Sequence, residues 1–301
     1  MRPEKARPFC QALEKGDILF FSDLPFSLPK EHQDFLLAQK QTANAHRKNI
    51  AYKPHKDLLT NFVRADVSKQ DRQMFLHIMR SFSYEVERFL GSFLSPYQSG
   101  LRLDYASFRP IEEKGRNLRR RARNDLLHMD AFSSRPVHGN RILRCYVNIH
   151  PEKPRKWITA ERFGEIISLY RDAPICLSLQ KRTSNQKRIF REMKRWARQL
   201  GLPLTLRSTY DEFMLRLHHL MKEDESYQKN SPKQYWSFPP GSCWIVFTDG
   251  IANATIEGRY ALEQTCIISQ EALIDPKSSP LAILEAFSNQ SLVTSAFTRF
   301  R

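Results

Sequence analysis

Residues 126–149 read LLHMDAFSSRPVHGNRILRCYVNI, and the second half of this stretch predicts the central element of the fold. From Arg141 to Ile149, one set of alternating positions is apolar, whereas the other set includes Arg144, Tyr146 and Asn148. This alternation is typical of a β-strand, because successive side chains of a strand point to opposite faces. The pattern therefore predicts a strand with one face against an apolar core and the other face lined by hydrogen-bonding groups.

Further short strands are predicted on both sides of this one. They are separated by loops, which favours a sandwich or barrel over a regular alternation of strands and helices. These strands are Leu101–Phe108, Asp125–Asp130, Cys243–Thr248 and Tyr260–Ile268.

Helices are predicted before, within and after the strand series. Ser68 and Asp71 form an N-terminal cap for a long amphipathic helix that ends near Gly91 to Pro96. The later helical signals are a cap at Thr159, an apolar stripe from Ile189 to Leu200 opposite basic residues from Lys187 to Arg198, a capping box of Thr209 and Glu212, a polar loop from Lys222 to Gln234, and a terminal helix opened by Ser279-Pro280.

The chain is predicted to form one domain of the α+β class, residues 1–301, since no break in composition divides it. Helices support a β core, and a helical insertion separates the two parts of that core. The predicted parts are 1–98 as mainly helical support, 99–150 as the first part of the β core, 159–225 as the insertion and 235–270 as the second part of the core.

The composition limits the compartment and the partners. With 48 Lys and Arg against 32 Asp and Glu, the formal charge is +16, which attracts anionic partners such as nucleic acid, a membrane surface or a polyanionic substrate. The N-terminus lacks the apolar run of a secretory signal, and no segment is apolar enough to span a bilayer. Five cysteines without a Cys-x-x-Cys pair favour a reducing, cytoplasmic compartment, and Cys145, Cys243 and Cys266 are expected to be small buried side chains.

Two residues in the opening stretch could bind a metal ion. His128 and Asp130 lie two positions apart in a predicted strand, so both side chains project to the same side. An imidazole and a carboxylate are two of the three ligands in the facial triad of non-haem iron. His-x-Asp alone also occurs by chance. On the next strand, Arg144 could bind a dicarboxylate in bidentate fashion or form a structural ion pair.

The run from Leu126 to Pro136, continued by Gly139 to Arg144, resembles the Kdo hydroxylases, a family of Fe(II)- and 2-oxoglutarate-dependent dioxygenases that act on the inner-core sugar of lipopolysaccharide. The run from Phe238 to Asp249 and that from Gly258 to Thr265 are similar to the same family. The resemblance extends from Gly16 to the last strand. It implies a double-stranded β-helix (jelly-roll) core.

The resemblance also implies roles for individual residues. His128 and Asp130 would bind Fe(II), and Arg144 would bind the distal carboxylate of 2-oxoglutarate. At the third ligand position, where the family ordinarily has histidine, this chain has Asn253. An amide oxygen is a weaker donor to iron than an imidazole nitrogen. Asn253 may therefore be read as a weak metal ligand, as a residue replaced by another side chain, or as the sign of an inactive site.

Four other histidines were considered as replacements from their positions in the sequence. His138 and His150 flank the strand that carries Arg144 and are the ones near the motif, although ordinary loop roles are expected for them. Adjacent His218 and His219 lie about 100° apart on a predicted helix, so they cannot both bind one ion. Surface or core roles are favoured for both of these.

The substrate implied by the resemblance is anionic Kdo-lipid A, met at the inner membrane surface by a cytoplasmic protein in peripheral contact with it. Arg119, Arg120 and Arg121 belong to a basic stretch before His128, and with Tyr146 they are expected to contact this substrate. Two rival functions stay open: an inactive oxygenase fold that binds an anionic glycolipid, and an RNA- or ribosome-directed oxygenase. Nucleic acid is not favoured, since no zinc-finger spacing, RNP-like strand or Gly-rich phosphate loop is present.

Overall fold

The computed structural model describes residues 2–39, 49–61, 68–180 and 205–293. Within these ranges the strands form two sheets in which all pairings are antiparallel. The larger sheet has the order β1-β8-β5-β10-β4-β2-β3, and the smaller one has the order β7-β6-β9. The strands are β1 Leu19–Phe21, β2 Ile50–Lys53, β3 Leu58–Thr60, β4 Leu101–Arg109, β5 Arg141–Asn148, β6 Arg155–Arg162, β7 Gln234–Phe238, β8 Cys243–Phe247, β9 Ile251–Glu257 and β10 Ala261–Ile268.

Helices surround the two sheets. Four of them lie between β6 and β7 in the chain, and three precede β4. The helices are α1 Pro3–Glu14, α2 Lys30–Ala38, α3 Lys69–Phe93, α4 Phe163–Leu169, α5 Pro174–Gln180, α6 Thr209–Glu223, α7 Glu225–Asn230 and α8 Pro280–Ser288, with 3-10 turns at Pro54–Lys56, Ser95–Gly100, Arg120–Ala122, Gln270–Ala272 and Pro276–Ser278.

The strand predictions are confirmed in the larger sheet and incomplete in the smaller one. Strands β4, β5, β8 and β10 match predicted segments. The predicted strand Asp125–Asp130 is wrong, because this segment makes only an isolated bridge between His128 and Asn253. All three strands of the smaller sheet were absent from the prediction, since β6 and β7 are rich in polar residues and β9 contains short alanines and an asparagine.

Helix caps decide where several helices begin. Ser68 accepts a hydrogen bond from the backbone nitrogen of Asp71 at 2.9 Å, which confirms the predicted start of α3. Ser279 caps α8 in the same way, as predicted. The predicted cap at Thr159 is wrong, because Thr159 lies within β6 and α4 follows Arg162.

Two other boundaries differ from the prediction. The capping box of α6 is formed by Ser208 and Asp211, one residue before the predicted pair Thr209 and Glu212. The polar stretch Lys222–Gln234 is partly helical, because Asp224 caps the short helix α7 through the backbone nitrogen of Tyr227. The predicted helix with the stripe Ile189 to Leu200 lies outside the described residues.

The two faces of β5 separate an apolar core from a polar interior, as its alternation predicted. Leu143, Cys145 and Val147 pack with α1, α2 and α3 on the outer face of the larger sheet. Cys145, Cys243 and Cys266 are buried there as free thiols, as expected. None of the helices in the described ranges is long and apolar enough to cross a membrane.

The inner faces of the two sheets meet around an aromatic cluster. The rings of Tyr146 on β5 and Trp157 on β6 have centroids 4.7 Å apart, in a T-shaped arrangement. Trp244 and Phe238 stack in the same cluster, with centroids 4.0 Å apart. A separate apolar cluster joins the outer face of the smaller sheet to α4–α8. The inner space is therefore closed by aromatic rings on one side and is charged on the other, where the candidate site lies.

Candidate metal centre

His128 and Asp130 are held by backbone hydrogen bonds to the smaller sheet and its approach. His128 exchanges two backbone hydrogen bonds with Asn253, at 3.1 and 2.9 Å, and the backbone nitrogen of Asp130 donates to the oxygen of Thr248 at 2.9 Å. The Nε2 atom of His128 lies 3.6 Å from Oδ1 of Asp130. The two side chains therefore point to the same side, as their spacing predicted, although the segment is not a regular strand.

His218 completes a group of three potential ligands. It lies on α6, and its ring meets that of His128 edge to face, with centroids 4.8 Å apart. One ligand atom from each of His128, Asp130 and His218 lies within 4.8 Å of the other two. Three donor atoms at this mutual separation can bind one metal ion without a change of fold.

Backbone carbonyls orient both imidazole rings. Nδ1 of His128 lies 2.7 Å from the oxygen of Leu126, and Nδ1 of His218 lies 2.7 Å from the oxygen of Met129. Because a carbonyl only accepts, Nδ1 carries the proton in each ring and Nε2 keeps its lone pair. This second contact is the arrangement that metal-binding histidines commonly show.

The charge states of the three groups suit metal binding. Burial lowers the pKa of His128, and nearby Lys222 lowers it further. Burial, His128 and Lys222 hold the pKa of His218 well below its ordinary value. Burial opposes the charged form of Asp130, but Arg144 and His128 outweigh it and lower the pKa of the carboxyl. Two neutral imidazoles and one carboxylate are therefore available, which is the ligand set of non-haem iron.

Arg144 connects Asp130 to a buried network of charges. Its Nε atom lies 2.8 Å from Oδ2 of Asp130, and its Nη1 atom makes a close contact with Glu263, which also pairs with Arg109. The hydroxyl of Tyr146 is 3.5 Å from Nη1 of Arg144. Arg144 thus lies at the candidate site, where it orients the metal-binding carboxylate and shares its own charge between two acids.

Asn253 lies beside the three ligands and holds the backbone. Its amide nitrogen donates to the carbonyl oxygens of His128, Thr248 and Ile251, at 3.2, 3.2 and 3.0 Å. These bonds orient the side chain, because an amide oxygen in the same place would face three carbonyl oxygens and repel them. The structure thus brings His218 to the ligand group and gives Asn253 contacts with the main chain.

The other candidate histidines make their contacts elsewhere. Nδ1 of His138 lies 3.0 Å from a carboxylate oxygen of Asp211, which belongs to the capping box of α6. Nδ1 of His150 accepts hydrogen bonds from the backbone nitrogens of Glu152 and Lys153 in a turn. His219 is half-buried, and its electrostatic neighbours include Arg121 and Glu223.

The residues predicted to contact a substrate differ in their surroundings. Arg119 is exposed. Arg120 pairs with Glu225 and Arg121 pairs with Glu223, so both tie the basic stretch to the end of α6 and the start of α7. Tyr146 is buried, stacked on Trp244 and next to Arg144. Arg120 and Arg121 therefore bind protein carboxylates in this structure, and Tyr146 belongs to the inner wall of the site.

His218 is the functional residue that the sequence prediction missed. It lies 89 positions from Met129 in the chain, so no local spacing relates it to His-x-Asp. A signal was nevertheless present. Met214 and Met221 are four residues before and three residues after His218, and both are buried. A histidine on the buried face of an amphipathic helix needs a partner in the interior.

Comparisons with known proteins identify the family. A family model described as 3-deoxy-D-manno-oct-2-ulosonic acid (Kdo) hydroxylase matches residues 1–291. The chain is also similar to crystal structures of the Kdo hydroxylase KdoO, a non-haem Fe(II) α-ketoglutarate-dependent dioxygenase, solved in the apo form, with succinate and Fe(III), and with α-ketoglutarate and Fe(III).

Each of these three structures is 34% identical to this chain, and each alignment covers 98% of this chain and 94% of the other. The TM-scores are 0.83, 0.82 and 0.83 for the apo, succinate and α-ketoglutarate forms. A comparison with curated protein sequences gives no match. From the family match over most of its length and the shared structure, we conclude that the chain belongs to the Kdo hydroxylase family.

Proposed function

We propose that this protein is an Fe(II)- and 2-oxoglutarate-dependent dioxygenase that hydroxylates the Kdo sugar of lipid A-linked lipopolysaccharide inner core. The observation that carries the proposal is the group of His128, Asp130 and His218, whose ligand atoms lie within 4.8 Å of one another. The relatives named above bind iron and α-ketoglutarate. Bound iron and 2-oxoglutarate would supply dioxygen activation, whereas the residues of the chain bind, orient and exclude water.

In this proposal His218 takes the third ligand position in place of Asn253. The two imidazoles are neutral and the carboxylate is charged, so all three groups can bind Fe(II) without first losing a proton. Asn253 then keeps the backbone of His128 in place through its amide nitrogen. The presence of three suitable ligands favours catalysis over the rival of an inactive glycolipid-binding fold.

The binding of 2-oxoglutarate is proposed to involve Arg144, which lies next to Asp130. A guanidinium there can hold a carboxylate in bidentate fashion. We also propose that the two antiparallel sheets form a double-stranded β-helix, with helices α4–α7 as an insertion into it, in a single dioxygenase domain of 301 residues. The similarity to KdoO over 98% of the chain supports this arrangement.

The proposed substrate is anionic, and the charge of the protein fits it. The formal charge of +16 attracts phosphate and carboxylate groups, and Arg119 is exposed in the basic stretch that leads to His128. Contact with the inner membrane surface would bring the protein to its lipid-linked acceptor. The cytoplasmic location of the protein belongs to the same proposal.

A turnover assay tests the proposed function. The purified chain is supplied with Fe(II) and 2-oxoglutarate, and succinate is measured with Kdo-lipid A or with lipid A that lacks Kdo. We expect succinate formation that depends on iron and increases with Kdo-lipid A alone, together with the gain of one oxygen atom by the sugar. A His128→Ala variant is the inactive control. Equal succinate with and without iron, or the absence of any oxidised sugar, would contradict the proposal.

A further inference from the structure

Arg155 is a buried cation whose hydrogen-bonding capacity is only partly used. It begins β6, and its side chain is 1% exposed. Nη1 donates to the backbone oxygen of Gly258 at 2.9 Å, whereas Nε and Nη2 are buried without a hydrogen-bond partner. Burial and the charge of Arg109 lower the pKa of Arg155 to about 10, so the guanidinium remains charged at neutral pH. Buried donors of this kind are costly unless an acceptor reaches them.

The nearest carboxylate does not satisfy Arg155. An oxygen of Glu113 lies 4.0 Å from Nη2, beyond hydrogen-bond distance. The same carboxylate is 3.7 Å from Arg109 and 3.7 Å from Arg116, and it accepts a hydrogen bond from Asn124 at 3.1 Å. Three guanidinium groups therefore surround one acid, and none of the three contacts is close enough for a direct hydrogen bond.

The wider network also carries more positive than negative charge. Glu263 pairs closely with Arg109 and Arg144, and Asp130 pairs with Arg144. Four guanidiniums thus face three carboxylates, which leaves an excess of one positive charge among groups that are largely removed from water. The four cations are Arg109, Arg116, Arg144 and Arg155, and the three anions are Asp130, Glu113 and Glu263.

The unsatisfied guanidinium belongs to the same inner space as the candidate metal centre. Arg155 and Trp157 share a face of β6, and Trp157 meets Tyr146, which contacts Arg144. Glu263 and Tyr146 act electrostatically on both Arg144 and Arg155. The side chains of Arg109 and Arg116 are 11% and 12% exposed, so solvent reaches the charge cluster at this edge.

From this arrangement we infer that Arg155 binds a carboxylate group of a ligand, through Nε and Nη2, beside the metal centre. A carboxylate matches the planar donors of a guanidinium and removes the excess positive charge. The identity of the ligand rests on the proposed function, because both 2-oxoglutarate and the Kdo sugar carry a carboxylate. Arg155 would then complement Arg144, whose charge is already shared by Asp130 and Glu263.

Binding measurements on the Co(II)-loaded protein test this inference. Affinities for 2-oxoglutarate and for free Kdo are determined by calorimetry for the wild type, Arg155→Met and Arg155→Lys. Arg162→Met is the matched control, because Arg162 ends the same strand and its side chain is 54% exposed in a pair with Asp17. We expect Arg155→Met to weaken the binding of one of the two ligands about 30-fold or more, since a charge-assisted bidentate contact is lost. Arg155→Lys should be intermediate.

The two ligands distinguish the outcomes. A loss confined to 2-oxoglutarate assigns Arg155 to the co-substrate, and a loss confined to Kdo assigns it to the acceptor sugar. Unchanged affinities in both variants, or a wild type that binds neither ligand, would overturn the inference. The ligand-free Tm adds a second readout: a carboxylate-binding role predicts no decrease in Arg155→Met, whereas a purely structural role predicts a decrease with affinities intact. Failure of the wild type to bind Co(II) would contradict the iron site instead.

Discussion

At the scale of single residues, two adjacent histidines have different environments. His218 contacts the ring of His128 and donates Nδ1–H to the backbone oxygen of Met129. His219 is rotated by about 100° on the same helix. It lies near Arg121 and Glu223 instead. The helix thus directs one imidazole of the pair into the metal centre.

These neighbours provide a matched pair of variants. We expect His218→Ala to weaken Co(II) binding about 100-fold or more, because one of three protein ligands is lost. His219→Ala should leave the affinity within a factor of about 3 of the wild type, since side chains outside the ligand sphere contribute little. Titration of Co(II) followed by its visible absorption measures both. Equal affinities of the two variants would show that His218 is not a ligand.

Asn253 gives the second test at this scale. Asn253→Ala removes a donor shared by three backbone carbonyls, so we expect a loss of about 1–3 kcal/mol in the free energy of unfolding, measured with urea. Asn253→His should not increase the affinity for Co(II), because His218 already supplies the second imidazole. Binding that becomes tenfold tighter in Asn253→His would instead identify this position as a ligand site.

The sequence predicted part of the candidate site, for a physical reason. His128 and Asp130 are two residues apart, and Arg144 lies on the polar face of a strand, so local periodicity was enough to bring them together. His218 depends on how a distant helix packs, which no spacing within the motif records. The charges on Arg109, Arg155 and Glu263 are likewise matched only through the pairing of strands, so the network could not be predicted residue by residue.

At the scale of elements, helix α7 supports the segment that carries the metal ligands. The side chain of Gln228 accepts from the backbone nitrogen of Leu127 at 2.9 Å and donates to its carbonyl oxygen at 2.8 Å. It also donates to the oxygen of Met221 at the end of α6. One amide thus joins the helix of His218 to the residue before His128, and it replaces the strand partner that this segment lacks.

This connection predicts a coupled loss of stability and metal affinity. Gln228→Ala leaves buried backbone groups of Leu127 and Met221 without their partner, so we expect about 1–3 kcal/mol of destabilisation in urea and weaker Co(II) binding. The control is Asn230→Ala on the same helix, whose side chain makes an exposed hydrogen bond to Ser226. If Gln228→Ala behaved like Asn230→Ala in both measurements, the supporting role of Gln228 would be refuted.

The elements also differ in how well the sequence predicts them. Strands β5, β8 and β10 have clear signals because one face of each packs on an apolar core. Strand β6 begins with Arg155 and ends with Arg162, and the interior that it faces is polar as well as aromatic. Its polar residues are buried by ion pairs and hydrogen bonds, so the usual alternation of apolar and polar positions is hidden.

At the scale of the whole molecule, stability and chemistry are assigned to different faces of the larger sheet. The outer face packs on α3, where Phe82 is 1% exposed and belongs to the core cluster of the N-terminal helices. The inner face carries Arg144, Tyr146 and Glu263. The two faces are linked by the backbone of the same strands, but the side chains that fill the core do not reach the metal ligands.

This division predicts that a core substitution changes stability alone. Phe82→Ala should lower the free energy of unfolding by about 3–5 kcal/mol, because a large buried ring is removed. Tyr84→Ala, on an exposed turn of the same helix, should change it by about 0.5 kcal/mol or less. Co(II) affinity of the folded protein should be equal in both variants. A selective loss of metal binding in Phe82→Ala would show that the two faces are coupled.

The most direct measurement of the central claim is a crystal structure of the Fe(II)-loaded protein with anomalous data collected at the iron edge. We expect one strong anomalous peak bound by the imidazole nitrogens of His128 and His218 and by a carboxylate oxygen of Asp130, with the amide nitrogen of Asn253 still on the backbone. A peak bound by Asn253 without His218, or the absence of any peak at this position, would contradict the proposed iron centre.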